Sequence, residues 1–212
     1  MSLKEAVSSI IIETAIEKMK IVNGFDLMKY AQEHHYMLPA FNTTNLEMTY
    51  AIAKELNKAK LPGYIQISSN NLRLSDPEAI VNEADAKTDP DMVADFVAQT
   101  GCDLLAVAVG NVHGLDIEPK VDLPLLEQIS KISPAPLVMH GGSGIPFDII
   151  QKAREFNLLK VNYGSDLRKA FVSTFGKAYE ANHNACSVIE LSIEAVENVS
   201  EKAAELVTII NS

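Results

Sequence analysis

Five short, almost uninterrupted apolar runs recur along the chain, each giving way to polar or glycine residues: YMLPAFN (36–42), YIQISSN (64–70), LLAVAVGNVHG (104–114), LVMHGGSG (137–144) and LLKVNYGSD (158–166). Such runs read as buried strands that lead into loops. Between them the apolar spacing becomes helical in NLEMTYAIAKELNKA, in DPDMVADFVAQTG with its Asp-Pro start and Gly stop, in DLPLLEQISK, and in IPFDIIQKAREFN with Pro146 in the first turn. Alternation of this kind calls for parallel strands joined by right-handed crossovers. Ahead of the first strand, residues 1–20 read as an amphipathic helix with Ala6, Ile10, Ile11, Thr14 and Ala15 roughly on one face, suited to covering the open end of a domain.

Two architectures suit the pattern, an open doubly wound sheet and a (β/α)8 barrel, and both gather functional loops at the carboxyl ends of their strands. Asn42, Ser68, His113, His140 and Asn162 all fall at that end of their runs. The barrel is preferred, because its usual phosphate site uses the loops after the last two strands, here GGSG and YGSD. The expected organisation is one domain over 1–212: the N-terminal helix (1–20), two strand-helix units (21–72), three further strands with their helices (84–182) and a C-terminal helix (183–212).

Composition narrows the function. A chain of 212 residues with 47% apolar and 22% charged residues can bury a real core. A formal charge of −10 argues against a nucleic-acid partner, which needs clustered Lys and Arg. Cys102 and Cys186 stand far apart without metal or disulfide spacing, which fits a reducing cytoplasm. The N-terminal segment, interrupted by Glu13 and Glu17, is neither a signal sequence nor a membrane span.

Successive backbone N–H groups in a glycine turn form an anion-binding concavity, so Gly141, Gly142 and Ser143, with Ser165 and the amides beside Gly164, are candidates for holding a phosphate. Glycines that only make tight strand-to-helix turns are the alternative. A single histidine beside an apolar run is more often a satisfied core or surface residue than a ligand. His113 and His140 at neighbouring strand ends would, however, be within reach of one divalent ion, and nitrogen ligation favours zinc. His34 and His35 precede the first strand and belong to the opposite face, and His183 follows a long helix, so none is placed to be a third ligand. Lys160 is the only lysine inside a strand that could form a Schiff base, a weak alternative that leaves the two histidines unexplained.

YMLPAFNTTNLEMTYAI, TDPDMVADFVAQTGCDLLAVAVGNVHG, PLVMHGGSGIP and LLKVNYGSDLRKAF together resemble blocks of the class II, zinc-dependent fructose-bisphosphate aldolases and their tagatose-bisphosphate relatives. The resemblance spans most of residues 20–180. It implies a cytoplasmic homodimer or higher homo-oligomer acting on a sugar phosphate, with zinc and room for a monovalent cation. It further implies that His113 and His140 bind zinc, that Gly114, Gly141, Gly142, Ser143, Asn162, Tyr163, Gly164 and Ser165 hold dihydroxyacetone phosphate, and that Asn42 and Ser68 lie on the substrate side. Two departures stand out. Gly164 occupies a position where family members often carry Asp. The block with the catalytic Asp and a further zinc histidine is absent between Ser69 and Asp85.

Five strands against eight leaves about three central strand-helix units unaccounted for. A five-strand piece would expose two parallel edges that NNLRLSDPEAIVNEADA lacks the apolar content to seal. The expectation is therefore that the complete protein carries further residues after about Asn71, including the catalytic Asp and the third histidine, so that consecutive Cα atoms between Ser69 and Asp85 part by more than about 3.8 Å. The alternative is a non-catalytic, phosphometabolite-binding relic of an aldolase.

Overall fold

The computed structural model describes residues 22–67, 87–111, 115, 118–184 and 187–211. The expected N-terminal helix over 1–20 and the expected chain break between Ser69 and Asp85 lie outside the described residues.

All five apolar runs contain strands: β1 (Leu38–Thr43), β2 (Tyr64–Ile67), β3 (Leu105–Val107), β4 (Leu137–Met139) and β5 (Leu158–Tyr163). They form one parallel sheet in the order β2-β1-β5-β4-β3. The steps β1 to β2, β3 to β4 and β4 to β5 all run in the same direction across the sheet. Right-handed crossovers then place their helices on one face, as in a barrel and unlike a doubly wound sheet. The first strand also pairs with the last, the neighbour relation of a barrel seam. The fold is thus α/β and TIM-barrel-like. Its outer strands β2 and β3, which flank residues 68–86 in sequence, do not pair with each other among the described residues.

The described helices are α1 (Gly24–Glu33), α2 (Leu46–Ala59), α3 (Pro90–Thr100), α4 (Leu123–Ile132), α5 (Phe147–Arg154), α6 (Ser165–Ala181) and α7 (Val188–Asn211). Their starts follow from capping chemistry. Asn45 Oδ1 accepts from Met48 N at 2.9 Å, Asp89 from Asp91 N at 3.0 Å, and Asp122 from Leu125 N at 3.1 Å. Asp122 also accepts from Lys87 Nζ at 2.7 Å, and this bond is the main reason its carboxyl lies below the usual range. Pro146 stands at the N-cap of α5, one position ahead of the expected first turn.

One apolar layer fills the space between the sheet and the helices outside it. Phe41, Leu105, Val107, Leu137, Met139, Val161 and Tyr163 from the strands meet Ile52 and Leu56 of α2, Leu126 and Ile129 of α4, Ile150 of α5 and Val199, Leu206 and Val207 of α7. A smaller cluster lies elsewhere: Leu27 and Ala31 of α1 pack on Leu38 and Leu159, with Tyr64 alongside. Leu38 faces away from Met37 and Phe41, so α1 covers the inner face of the sheet near the amino ends of β1 and β5.

Candidate active site

The alternation of β1 and its register with β2 and β5 place Ala40, Asn42, Tyr64, Gln66, Lys160 and Asn162 on one face, the inner one. Strict alternation along β5 would not do this. Leu158 belongs to the outer core, and counting by twos from it would send Lys160 outward too. The register between β4 and β5 runs Leu137↔Leu158, then Val138↔Lys160, so Leu159 is an extra residue on β5. This bulge re-aims Lys160 and Asn162 toward the inner face, a common use of bulges beside functional sites.

Asn162 is buried and is the hub of the site. Its Oδ1 accepts from Lys160 Nζ at 2.7 Å, and its Nδ2 lies 3.1 Å from Nδ1 of His140. Lys160 is 7% exposed, with Nζ 5.4 Å from the centroid of the Tyr64 ring, whose hydroxyl donates to the Gly24 carbonyl at 2.9 Å. Burial lowers the Lys160 ammonium to about 8. Gln66, on the same face beside Asn42, carries a buried side-chain oxygen with no hydrogen-bond partner, an acceptor that a bound hydroxyl would satisfy.

The two glycine loops meet through Ser143. This buried residue's Oγ accepts from Asp166 N at 3.2 Å and from Gly164 N at 3.4 Å, tying the β4 loop to the first turn of α6. The roles of individual amides differ from the expectation. Gly142 N donates to Asn162 O at 2.9 Å, so this N–H holds the loop against β5. A Cβ at Gly142 would lie 2.5 Å from Val161 Cγ1 and 3.0 Å from Asn162 O, so glycine here is required by protein packing. Gly164 N is likewise engaged by Ser143. Tyr163 is a clearer difference: its side chain is buried in the outer core with its ring 6.3 Å from that of Phe41, so only its backbone can serve the site. Ser165 Oγ accepts from Arg168 Nη2 at 2.9 Å. Beside Gly164, the space for a side chain is bounded by Arg168 Nη1 at 3.0 Å and Asn42 Cβ at 3.3 Å, so the Asp common in the family would meet a guanidinium here.

Of the expected residues, then, the structure brings together Asn42, His140, Gly141, Gly142, Ser143, Asn162, Gly164 and Ser165 at the carboxyl ends of β1, β4 and β5. Ser68, His113 and Gly114 lie outside the described residues. His34 and His35 do sit at the amino-end face: His34 Nδ1 bonds the Tyr30 carbonyl at 2.8 Å and the His35 carbonyl accepts from Arg154 at 2.9 Å. His183 lies past the end of α6 against Tyr179, with ring centroids 5.1 Å apart. Asn111 was not anticipated. Its Oδ1 accepts from Val109 N at 2.7 Å and its Nδ2 donates to the His140 carbonyl at 2.8 Å, fastening the β3 loop to the β4 loop. Gly110 supports the same loop at φ +89°, with Lys120 N donating to its carbonyl at 3.1 Å. The only sequence signal for either was position: Asn111 is the first residue of NVHG and Gly110 precedes it.

Among the described residues no group of three or more His, Cys, Asp or Glu side chains could hold a metal ion. His140 fits as one nitrogen ligand, since its ring stands at a strand end; His113, the expected second, lies outside the described residues. Also among the described residues, no helix is long and apolar enough to cross a membrane.

Comparison with known proteins adds the following. The family model described as fructose-bisphosphate aldolase class-II matches residues 22–83 and 72–212. The uncharacterized protein YdjI of Escherichia coli K12 is 35% identical over 126 residues, which are 59% of this chain and 44% of YdjI, so the aligned chain spans less than half of that relative. Among solved structures, the YdjI aldolase of E. coli K12 superposes with a TM-score of 0.68 at 22% identity, over 86% of this chain and 94% of that one. Fructose-bisphosphate aldolase from Campylobacter jejuni gives 0.67 at 14% identity, covering 87% and 92%. A putative fructose-1,6-bisphosphate aldolase from Coccidioides immitis gives 0.65 at 17%, covering 88% and 95%. At these identities the superpositions speak to the fold.

Proposed function

Because the chain belongs to the class II fructose-bisphosphate aldolase family, we propose that it is a zinc-dependent ketose-bisphosphate aldolase, cleaving fructose 1,6-bisphosphate or a close relative to dihydroxyacetone phosphate and glyceraldehyde 3-phosphate. The observation that carries this reading is the meeting of two loops at the carboxyl ends of β4 and β5, with Asn162 Nδ2 beside His140 Nδ1 and Ser143 Oγ accepting from the Gly164 and Asp166 N–H groups. In the cleavage, the C4 hydroxyl gives up its proton to a general base, the C3–C4 bond breaks to leave the aldehyde, the electron pair left on C3 is delocalised into the C2 carbonyl as an enediolate, and a proton returned to C3 completes dihydroxyacetone phosphate. Zinc, held by His113 and His140, would polarise that carbonyl.

The chain's own residues bind and orient. Ser143 Oγ and the amides at the start of α6 form the phosphate end, where a phosphate oxygen can take over the N–H groups of Gly164 and Asp166 that Ser143 now accepts. Asn162 stands between that end and His140, so its carboxamide can direct the substrate's hydroxyl side. Asn42 and the unpartnered oxygen of Gln66 line the same inner face from β1 and β2.

A second reading, the non-catalytic phosphometabolite-binding relic, is favoured by one fact of the sequence: the family's block with the catalytic Asp and a further zinc histidine is missing between Ser69 and Asp85. One set of measurements separates the two. The aldolase reading expects about one zinc per chain by elemental analysis and release of triose phosphate from fructose or tagatose bisphosphate, with both lost in His140→Ala. Zinc-free protein that turns over neither sugar, yet binds inorganic phosphate in a way that Ser143→Ala weakens, would leave the relic as the correct account.

A further inference from the structure

The exit of β3 has no part in the reading above, yet it is tied directly to His140. The ladder between β3 and β4 ends with the pair Val107 and Met139. His140 is the next residue, and past the last pair of a ladder a backbone carbonyl has to find its partner elsewhere. Asn111 supplies one with its side chain. Its Nδ2 donates to the His140 carbonyl at 2.8 Å, while its Oδ1 accepts from Val109 N at 2.7 Å. Both ends of one rigid, planar carboxamide thus engage backbone groups of two different loops, and the side chain acts as a strut between them.

A strut is only as firm as its footing, and this one is anchored on several sides. Thr88 N donates to Ala108 O at 2.8 Å, and Ala108 N donates to Thr88 Oγ1 at 2.9 Å. The carbonyls of Val109 and Gly110 accept from Asp122 N at 2.7 Å and from Lys120 N at 3.1 Å. Val109 itself is fully buried. A Cβ at Gly110 would run into the Lys120 carbonyl, so the turn at φ +89° that leads into Asn111 needs glycine. His140 is consequently gripped from both neighbouring strands: its backbone by Asn111 on the β3 side, and its ring, 3.1 Å from Asn162 Nδ2, on the β5 side.

We infer that Asn111 is a positioning residue for the metal centre: by fixing the His140 backbone against the exit of β3, it sets the direction from which the imidazole meets a bound ion. This deepens the proposed function and rests on that reading for the presence of zinc. Both side-chain groups of Asn111 are engaged on backbone, so it acts through His140 and not as a ligand. Groups that hold a ligand histidine in place typically change metal affinity by about 10- to 100-fold when removed.

The test measures zinc affinity by competition with a chromophoric chelator at one fixed neutral pH, and records the electronic spectrum with cobalt(II) in place of zinc. Asn111→Ala is expected to weaken zinc binding by about 10-fold or more and to alter the cobalt bands. Asn111→Asp keeps an acceptor for Val109 N but sets a second oxygen against the His140 carbonyl. Its negative charge alone would draw the cation in, so weaker binding in this variant supports positioning, and equal or tighter binding overturns it. Asn45→Ala loses a helix cap away from these loops and is expected to bind zinc as the wild type does; an equal loss there would mean that general destabilisation lowers the affinity, and would overturn the inference. Unchanged affinity and cobalt spectrum in folded Asn111→Ala overturn it as well. Wild-type protein without zinc affinity would refute the aldolase reading and this inference together, whereas zinc-binding protein with unaffected Asn111 variants would refute this inference alone.

Discussion

Lys160 makes a prediction about stability. Burial lowers its ammonium from the ordinary 10.5 to about 8. Between those values the unfolded chain keeps the proton and the native chain sheds it, so the unfolded state binds more protons and stability must rise with pH across that window. Below about 8 both states are charged and the native one bears the full desolvation cost. The difference corresponds to about 3 kcal/mol, an upper figure because the bond to Asn162 offsets part of it. Lys160→Met removes the group and keeps most of its volume. Urea unfolding of wild type and variant at several pH values from neutral to 10 supplies the assay, and subtracting the two curves cancels every other titrating group. The wild type is expected to gain on the variant by one to a few kcal/mol as pH rises, roughly the size of the linkage term. Parallel curves would refute the argument, and would mean that Asn162 and Tyr64 compensate the buried charge completely.

Two further substitutions test the frame of the site. Gly142→Ala places a Cβ 2.5 Å from Val161 Cγ1 and 3.0 Å from the Asn162 carbonyl, and is expected to cost about 1–3 kcal/mol in denaturant unfolding, whereas an unchanged midpoint would mean the β4 loop is free to lift off β5. Asn45→Ala removes the acceptor for Met48 N and is expected to cost about 1 kcal/mol by thermal unfolding, with Asn45→Asp restoring it; equal losses in both would show that the cap is not what holds the start of α2.

Much of this protein could be read along the chain because the deciding physics is local. Short apolar runs that alternate with helical patterns read as buried strands, and the residue that ends each run sits at the carboxyl edge wherever the strand goes. That places Asn42, His140 and Asn162 together before any coordinate is known. Asp89-Pro90 and Gly101 likewise bracket a helix through capping alone. The order of the strands, in contrast, depends on which edges meet, and only the pairings, with β1 to β2, β3 to β4 and β4 to β5 stepping the same way and β1 meeting β5, distinguish a barrel-like sheet from a doubly wound one. The interior of the site was hidden for a similar reason. Gly142 looks like a phosphate-loop glycine until its contact with Val161 appears, and Tyr163 looks like a substrate residue until its ring is found beside Phe41. Lys160 turns inward because one extra residue, Leu159, shifts the phase of β5 against β4. A bulge arises from the pairing of two strands distant in sequence, so no pattern within β5 alone could reveal it.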